Sequence, residues 1–201
     1  MLSSQYTPNK IEAGCDEAGR GCLAGPVVAA AVIFPKGYKN DVLNDSKQLS
    51  KKKRAFLKTQ IKEDAICWAI GECSNVEIDQ FNILKSSFMA MHKAVEQLTT
   101  TPELLLIDGN RFISYPDINH ECIIKGDAKF LSIAAASVLA KTYRDDLMTT
   151  LGLQHPQYDW VKNAGYPTKK HREAIKQFGI TSYHRKSFRL LPDQLDLFEE
   201  N

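Results

Sequence analysis

Three stretches of this chain have the pattern of short β-strands, and each of them leads into a carboxylate. The first ends at the adjacent acids Asp16 and Glu17, the second ends at Asp108, and the third is followed closely by Asp127. In open α/β sheets, ligands bind at the carboxyl ends of the strands. We therefore expect an α/β fold in which these four acids meet at one edge of the sheet. The three stretches cover residues 11–15, 104–107 and 121–124.

A glycine-flanked arginine directly follows the first acidic pair, in the segment Asp16-Glu17-Ala18-Gly19-Arg20-Gly21. Gly19 and Gly21 have no Cβ atom that would hold the backbone away from a ligand. The segment therefore predicts an element suited to phosphate or sugar beside a metal-binding edge. Neighbouring residues on a regular strand point to opposite faces, so shared coordination by Asp16 and Glu17 requires a bend here.

A group of carboxylates without matching histidines or cysteines favours the hard cations Mg²⁺ and Mn²⁺. Two such ions can activate water and stabilise a leaving 3′ oxygen, so the implied reaction is phosphodiester hydrolysis. Each acid also has an ordinary interpretation, because Asp108 could be a turn residue before Gly109 and Asp127 could be a helix N-cap. Their joint placement favours the catalytic interpretation. The five histidines show no ligand spacing and are interpreted as packing or surface residues.

The composition is that of an ordinary globular protein with one substantial core, since 43% of the 201 residues are hydrophobic and 25% are charged. Basic residues cluster around 47–58, 169–172 and 184–189, and for any single cluster a solvated face is the favoured interpretation. The longest nearly apolar run, 22–34, is too short to cross a bilayer. Five cysteines without a Cys-x-x-Cys pair indicate a reducing compartment. We expect a cytoplasmic monomer without a membrane anchor.

The remaining elements complete an α/β pattern. Two β-rich runs, 27–34 and 65–73, are expected to form an antiparallel meander with the first strand. Apolar residues recur at helical spacing over 84–98, which predicts a helix packed on the sheet. A further helical segment covers 130–148 and carries Lys141.

Beyond Leu153 the residue pattern is typical of a separate cap, with a short helix near 169–178. Tyr166 lies in a Gly-Tyr-Pro-Thr turn of this region. Its ring could stack on a sugar or a base, and it could equally close the small core of the cap. The spacing does not choose between these two interpretations.

Six segments follow one another along nearly the whole chain: Asp16-Glu17-Ala18-Gly19-Arg20-Gly21, Asp45-Ser46-Lys47, Ile107-Asp108-Gly109, Lys125-Gly126-Asp127, Ala135-Ala136-Ser137-Val138-Leu139-Ala140-Lys141 with Arg144-Asp145, and Gly165-Tyr166-Pro167-Thr168. Together they closely resemble the bacterial ribonuclease HII family, the type 2 ribonucleases H. Short Asp-Gly or Gly-Asp elements are common, but six segments in the order of the family are specific.

The resemblance implies a ribonuclease H-like fold, with a mixed five-stranded sheet flanked by helices and a small C-terminal helical cap. It implies an endonuclease that hydrolyses the RNA strand of RNA-DNA hybrids and cuts 5′ of ribonucleotides embedded in duplex DNA. Cleavage would leave 3′-hydroxyl and 5′-phosphate ends, in ribonucleotide removal from DNA and RNA primer processing. The catalytic complex would contain Mn²⁺ or Mg²⁺, with two ions held by Asp16, Glu17, Asp108 and Asp127.

The resemblance also implies three kinds of substrate contact. One group recognises the 2′-hydroxyl and the scissile phosphate, one ring stacks on the deoxyribose after the ribonucleotide, and a basic group holds backbone phosphates. The 2′-hydroxyl is what distinguishes RNA from DNA. The first group consists of Gly19, Arg20 and Gly21, the ring is that of Tyr166, and the phosphate contacts are Ser46, Lys47 and Lys141.

We divide the chain into a catalytic core (1–153), a substrate-binding cap (154–191) and a flexible acidic tail (192–201). The tail contains the pentapeptide Gln194-Leu195-Asp196-Leu197-Phe198. It is similar to the motif with which bacterial replication and repair proteins bind the β sliding clamp. A last amphipathic turn folded onto the protein's own surface is an equal alternative.

Two other classes of function share part of this pattern. Another ribonuclease H-like DNA nuclease would have the carboxylates without a reader of the 2′-hydroxyl. A noncatalytic hybrid-binding module would bind without a divalent metal, but four carboxylates facing a polyanion would then oppose binding.

Overall fold

The computed structural model of the protein describes residues 2–43 and 49–191. Its strands form a sheet of five members, which is the architecture expected from the sequence. The expected antiparallel meander is confirmed for the first three strands, and the fourth strand runs parallel to the first and the fifth. The strands are β1 (Glu12–Ala18), β2 (Val27–Ile33), β3 (Cys67–Cys73), β4 (Leu104–Asp108) and β5 (Asn119–Ile123). Their order in the sheet is β3-β2-β1-β4-β5.

Six helices accompany the sheet within the described ranges. The helices predicted for 84–98, 130–148 and 169–178 are confirmed, and the second of them is longer than predicted. The helices are α1 (Lys51–Asp64), α2 (Asn75–Phe81), α3 (Ile83–Glu96), α4 (Leu131–Gln154), α5 (Trp160–Asn163) and α6 (Lys169–Phe178). Short 3-10 turns cover Gly126–Ala128 and Pro156–Tyr158. None of the helices in the described part of the chain is long and apolar enough to cross a membrane.

The two faces of the sheet bury separate apolar clusters, one under α3 and one under α1 and α4. Glycines allow the helices to approach the strands closely. A Cβ atom on Gly14 of β1 would lie 2.3 Å from the main chain of α4 at Ser132, and one on Gly71 of β3 would lie 2.1 Å from the carbonyl oxygen of Ala90 in α3. Because α4 lies directly on β1, side chains from this helix reach the carboxyl end of that strand.

The outer edge of β3 is covered by side chains of α3. Lys93 Nζ donates to the carbonyl oxygen of Glu72, and Gln97 Nε2 donates to the carbonyl oxygen of Ile70, both at 3.0 Å. Main-chain acceptors at the rim of the sheet are therefore bonded within the protein itself.

The C-terminal cap packs on the end of α4 and on the loop between β1 and β2. Its apolar cluster combines Tyr158, Trp160 and Ile175 with Leu23 of that loop and Met148 of α4. Main-chain hydrogen bonds join the same two regions, including Arg185 N–H to Leu23 O at 2.8 Å. The domain boundary after residue 153 stays a prediction. Helix α4 ends at Gln154 and contributes directly to the apolar cluster of the cap.

The centre of the cap contains a buried pair of histidines. The main-chain N–H of Thr181 donates to His184 Nδ1 at 2.9 Å, so the ring proton of His184 is on Nε2, which lies 3.2 Å from His171 Nε2. Trp160 Nε1–H also donates to His171 Nε2, at 3.0 Å. Because His171 Nε2 accepts both of these hydrogen bonds, the ring proton of His171 is on Nδ1. Nδ1 donates to the carbonyl oxygen of Tyr166 at 2.9 Å.

The basic clusters of the cap are thus partly misassigned by the sequence interpretation. We expected solvated faces, but His171, His184 and Arg185 are completely buried. Burial lowers the pKa of both histidines, and for His184 it does so to about 4, with further contributions from the neighbouring rings of His171 and His155. Both rings are neutral at pH 7 and act as hydrogen-bonding core residues. The general interpretation of the histidines as packing residues is confirmed for this pair.

The depressed histidine pKa values make stability dependent on pH. An unfolded histidine protonates near 6.5 and folded His184 near 4, so the unfolded state binds more protons between these values. The free energy of unfolding should fall as the pH is lowered from 6.5 to 4. Urea denaturation at a series of pH values measures this slope. The slope should be shallower in His184→Gln, which cannot protonate. An identical slope in His184→Gln would contradict the prediction.

Candidate active site

Three carboxylates meet at the carboxyl edge of the parallel part of the sheet. Asp16 lies in β1, Asp108 is the last residue of β4, and Asp127 lies in the 3-10 turn after β5. The parallel register places Cys15 opposite Ile107, so the acids that follow these two residues are neighbours. One oxygen from each of the three acids lies within 4.8 Å of the others. These donors are all hard oxygens, which fits a divalent cation such as Mg²⁺ or Mn²⁺.

Hydrogen bonds hold these carboxylates in place. Asp108 Oδ1 accepts from the main-chain N–H of Gly126 at 2.7 Å, which ties the end of β4 to the turn that carries Asp127. Asp16 Oδ1 accepts from the N–H of Glu17 at 2.7 Å, and the hydroxyl of Ser137 in α4 bonds to the same carboxyl group. The acids are therefore positioned before any cation binds.

Burial and like charge both act on Asp16. Burial raises its pKa well above 3.8, and the neighbouring charges of Glu17 and Asp108 raise it further, whereas the hydrogen bond from Ser137 lowers it. The electrostatics of the group thus favour a bound positive charge, since a cation would reduce the repulsion between the acids.

Glu17 is not part of the three-residue group. Its carboxylate forms an ion pair with Arg20, three residues further along the chain, at 3.3 Å from Arg20 Nη1. Glu17 nevertheless lines the same cleft as Asp16 and Asp108. Asp16 and Glu17 thus line the same cleft, as neighbours on one strand, but only Asp16 belongs to the three-residue group.

A cleft of about 410 Å³ brings most of the predicted site residues together. Its lining combines the acidic edge, the loop after β1, two residues of α4 and one residue of the cap. The lining residues are Asp16, Glu17, Ala18, Gly19, Arg20, Gly21, Asp108, Ser137, Lys141 and Tyr166. Ser46 and Lys47, and the pentapeptide 194–198, lie outside the described residues.

The two glycines that flank Arg20 differ in what surrounds them. A Cβ atom on Gly19 would lie 2.0 Å from Nε of Arg144, and Gly19 has a φ of +96°. A Cβ atom on Gly21 would have no neighbour within 4 Å. The space beside Gly21 is therefore open, whereas Gly19 is required by a side chain packed beneath the loop.

Lys141 and Tyr166 line the same cleft and lie close to each other. Lys141 Nζ forms an ion pair with Asp145 Oδ1 at 2.7 Å and lies 5.6 Å from the centre of the Tyr166 ring. Tyr166 is 41% exposed and hydrogen-bonds to the buried thiol of Cys22. Of the two interpretations of this ring, the structure favours the open one, because the ring lines the cleft and does not close the core of the cap.

Sequence reasoning missed Ser137 and Cys22 as site residues. Ser137 is the single hydroxyl in the run Ala134-Ala135-Ala136-Ser137, and its polarity within an otherwise apolar stretch was the available signal. Cys22 has no comparable signal, because its contact with Tyr166 joins residues 144 positions apart.

Comparisons with known proteins agree with this arrangement. A family model described as Ribonuclease HII matches residues 13–191. A protein from Parabacteroides distasonis named Ribonuclease HII is 64% identical over 197 residues, which cover 98% of this chain and 99% of the relative. A protein of the same name from Bacteroides fragilis is 63% identical over 201 residues and covers both chains completely.

Solved structures show the same fold at lower sequence identity. The crystal structure of the ribonuclease H2 from Pyrococcus horikoshii has a TM-score of 0.74 and 23% identity, with 89% of this chain and 94% of that chain covered. The ribonuclease HII in the structure of the PCNA complex from Archaeoglobus fulgidus has a TM-score of 0.71 and 24% identity, with 92% and 98% covered. The expected ribonuclease H-like fold is thus confirmed. With the family match over almost its whole length, the chain belongs to the ribonuclease HII family, a family of metal-dependent endonucleases.

Proposed function

We propose that this protein is an endoribonuclease that hydrolyses the RNA strand of RNA-DNA hybrids and cuts 5′ of ribonucleotides embedded in duplex DNA. The single observation that carries the proposal is the cleft, whose lining combines carboxylates of the acidic edge with the Gly19–Gly21 loop, Lys141 and Tyr166. We assign it to ribonucleotide removal from DNA and to RNA primer processing. The five free cysteines support a cytoplasmic location.

The acidic edge would hold the cations. Asp16, Asp108 and Asp127 would supply the donors, and Glu17, which lines the same cleft, would complete the ligand set. Two Mg²⁺ or Mn²⁺ ions held there would supply the positive charge that lowers the pKa of water and stabilises the leaving 3′ oxygen, and the products would carry 3′-hydroxyl and 5′-phosphate ends. Asp108 remains fixed through its hydrogen bond from Gly126, so the acids need little rearrangement.

Other residues that line the cleft would bind and orient the substrate. Arg20 and Gly21 are exposed at the mouth of the cleft, where they can reach the 2′-hydroxyl and the scissile phosphate. Lys141 supplies a cation for a backbone phosphate, and its ion pair with Asp145 restricts where that cation lies. The exposed ring of Tyr166 can stack on the sugar that follows the ribonucleotide.

Cleavage of a labelled DNA duplex with one internal ribonucleotide tests the proposal directly. The reaction is run with Mg²⁺ or Mn²⁺, beside an all-DNA duplex, and the cut is mapped at nucleotide resolution. We expect a metal-dependent cut immediately 5′ of the ribose and no cut in the control. Cleavage of both duplexes would instead indicate a ribonuclease H-like DNA nuclease, and cleavage of neither by folded protein would indicate a noncatalytic binding module.

Asp108→Asn should remove cleavage without removing the fold. The amide oxygen of asparagine can still accept from Gly126 N–H, but the charge that attracts the cation is lost. Residues that only support metal ligands affect activity by about 10- to 100-fold, so loss of a ligand should reduce kcat by at least about 100-fold. Steady-state cleavage and hybrid binding are both measured. Near-normal kcat would remove Asp108 from the catalytic set.

Tyr166→Ala should mainly reduce cleavage at single embedded ribonucleotides, because a stacked base or sugar is worth about 1 to 3 kcal/mol, or roughly 5- to 150-fold in affinity. Tyr143→Ala is a matched control, since Tyr143 is also 41% exposed and lies on the same helix as Lys141 but outside the cleft. The ratio of kcat/KM on single-ribonucleotide duplexes to kcat/KM on uniform hybrids is measured. Equal losses on both substrates would argue against junction reading.

We also propose that the acidic tail binds a bacterial β sliding clamp. The relative from Archaeoglobus fulgidus was solved in complex with PCNA, and the motif of this chain at 194–198 has the composition of a clamp-binding peptide. Leu197 and Phe198 would insert into an apolar pocket of the clamp, with Gln194 as a polar anchor.

Deletion of residues 193–201 should abolish pull-down by the β clamp while leaving cleavage intact, because the deleted residues are far along the chain from the catalytic acids. The double substitution Leu197→Ala and Phe198→Ala should have the same effect, and Glu199→Gln with Glu200→Gln serves as the matched control within the tail. Clamp binding that survives the deletion would contradict this proposal.

A further inference from the structure

Two arginine side chains are completely buried beneath the loop that lines the cleft. Arg144 comes from α4 and Arg185 from the end of the cap, and each is at most 1% exposed. None of the ion pairs found among the described residues includes either arginine. Burial lowers the pKa of Arg185 to about 10, which still leaves it charged at pH 7. The structure thus holds two buried cations whose role the acidic site does not explain.

Both guanidinium groups donate to main-chain carbonyl oxygens of residues 19–26. Arg185 donates to them from all three nitrogens at 2.7 to 3.1 Å, and Arg144 donates to them from two nitrogens at 2.9 and 3.0 Å. Arg144 also reaches the carbonyl of Ala164, two residues before Tyr166. The carbonyl oxygens bonded by Arg185 belong to Gly19, Arg20, Gly25 and Pro26, and those bonded by Arg144 to Ala24, Pro26 and Ala164.

These bonds determine where the amides of the loop point. In a planar trans peptide the carbonyl and the following N–H are directed to opposite sides. Since the carbonyls of Gly19 and Arg20 point inward to Arg185, the N–H groups of Arg20 and Gly21 point outward, towards the cleft. Gly19 fits this arrangement because a Cβ atom there would collide with Arg144.

The same arginines also set the electrostatics below the loop. Two guanidinium charges lie on the inner side of the loop, while the acids lie at the neighbouring edge of the sheet. Their positive field favours an electron-rich oxygen at the outward amides. A lysine in either place would retain the charge but not the planar fork of donors that holds several carbonyls at once.

We propose that Arg144 and Arg185 are positioning residues that set the preference for ribose over deoxyribose, by holding the loop so that the amides of Arg20 and Gly21 face the 2′-hydroxyl and its phosphate. This inference rests on the proposed function. Neither arginine touches the substrate, and both act through the main chain of the loop.

The test compares Arg185→Lys with Arg172→Lys. Arg172 is a matched control because it also donates to main-chain carbonyls, those of Arg189 and Leu190, but contacts no part of the loop. Both substitutions are made in the Asp108→Asn background, and binding is measured by fluorescence anisotropy on two duplexes. One duplex carries a single ribonucleotide and the other is all DNA. Circular dichroism and thermal melting establish that each variant is folded.

The measured quantity is the ratio of the two dissociation constants. Because a misaligned hydrogen-bonding site loses discrimination against a substrate that lacks the hydroxyl, Arg185→Lys should reduce the ratio by about 10-fold or more, and Arg172→Lys should leave it unchanged. A role in stability alone would lower the melting temperature and leave the ratio intact. A folded Arg185→Lys protein with an unchanged ratio would therefore overturn the positioning role.

Further results distinguish failure of this inference from failure of the proposed function. If Arg185→Lys does not fold, Arg144→Lys receives the same measurement, with the same expected loss and the same overturning result. A second result is that the Asp108→Asn protein with both arginines intact shows no preference for the ribonucleotide duplex in binding, and the wild-type protein none in cleavage. In that case the proposed function itself fails, and this inference fails with it. A preference that is present in the wild type and retained in both lysine variants would overturn the inference alone.

Discussion

Repulsion among three carboxylates at one strand edge is the constraint around which this molecule is organised. Asp16, Asp108 and Asp127 would separate if their main chains were free to move. Parallel pairing of β1, β4 and β5 fixes their spacing, and the N–H of Gly126 and the hydroxyl of Ser137 hold two of the carboxylates by hydrogen bonds. The rest of the fold keeps this edge rigid, because α4 packs directly on β1 through Gly14. The fold thus favours a bound cation, because a cation would reduce the repulsion between these carboxylates.

The cap and the core form a continuous structure around the cleft. Residues 19–26 are bonded both by Arg144 of α4 and by Arg185 at the end of the cap, and the histidine pair of the cap bonds to the main chain of Tyr166. The cleft therefore has a negative edge on the sheet and a wall backed by buried positive charge.

Much of the architecture was predictable from local pattern, because strands and helices depend on residues close in sequence. The runs that lead into Asp16 and Asp108 became neighbouring parallel strands, and a helix was predicted near 169–178, where α6 lies. The contributions of Cys22 and Arg185 were not predictable, and the only signal for Ser137 was a lone hydroxyl in an apolar stretch. Each depends on a contact between residues far apart in sequence, and buried polar side chains look like surface residues until their partners are known.

The side chains of α3 that bond to the rim of β3 have a consequence for the behaviour of the protein in concentrated solution. A strand at the margin of a sheet is a template on which another chain can assemble. Here Lys93 and Gln97 already occupy the acceptors of Glu72 and Ile70 that an incoming strand would need. A second molecule could extend the sheet on this side only by displacing both side chains, so the same helix that covers the core also guards the protein against edge-to-edge aggregation.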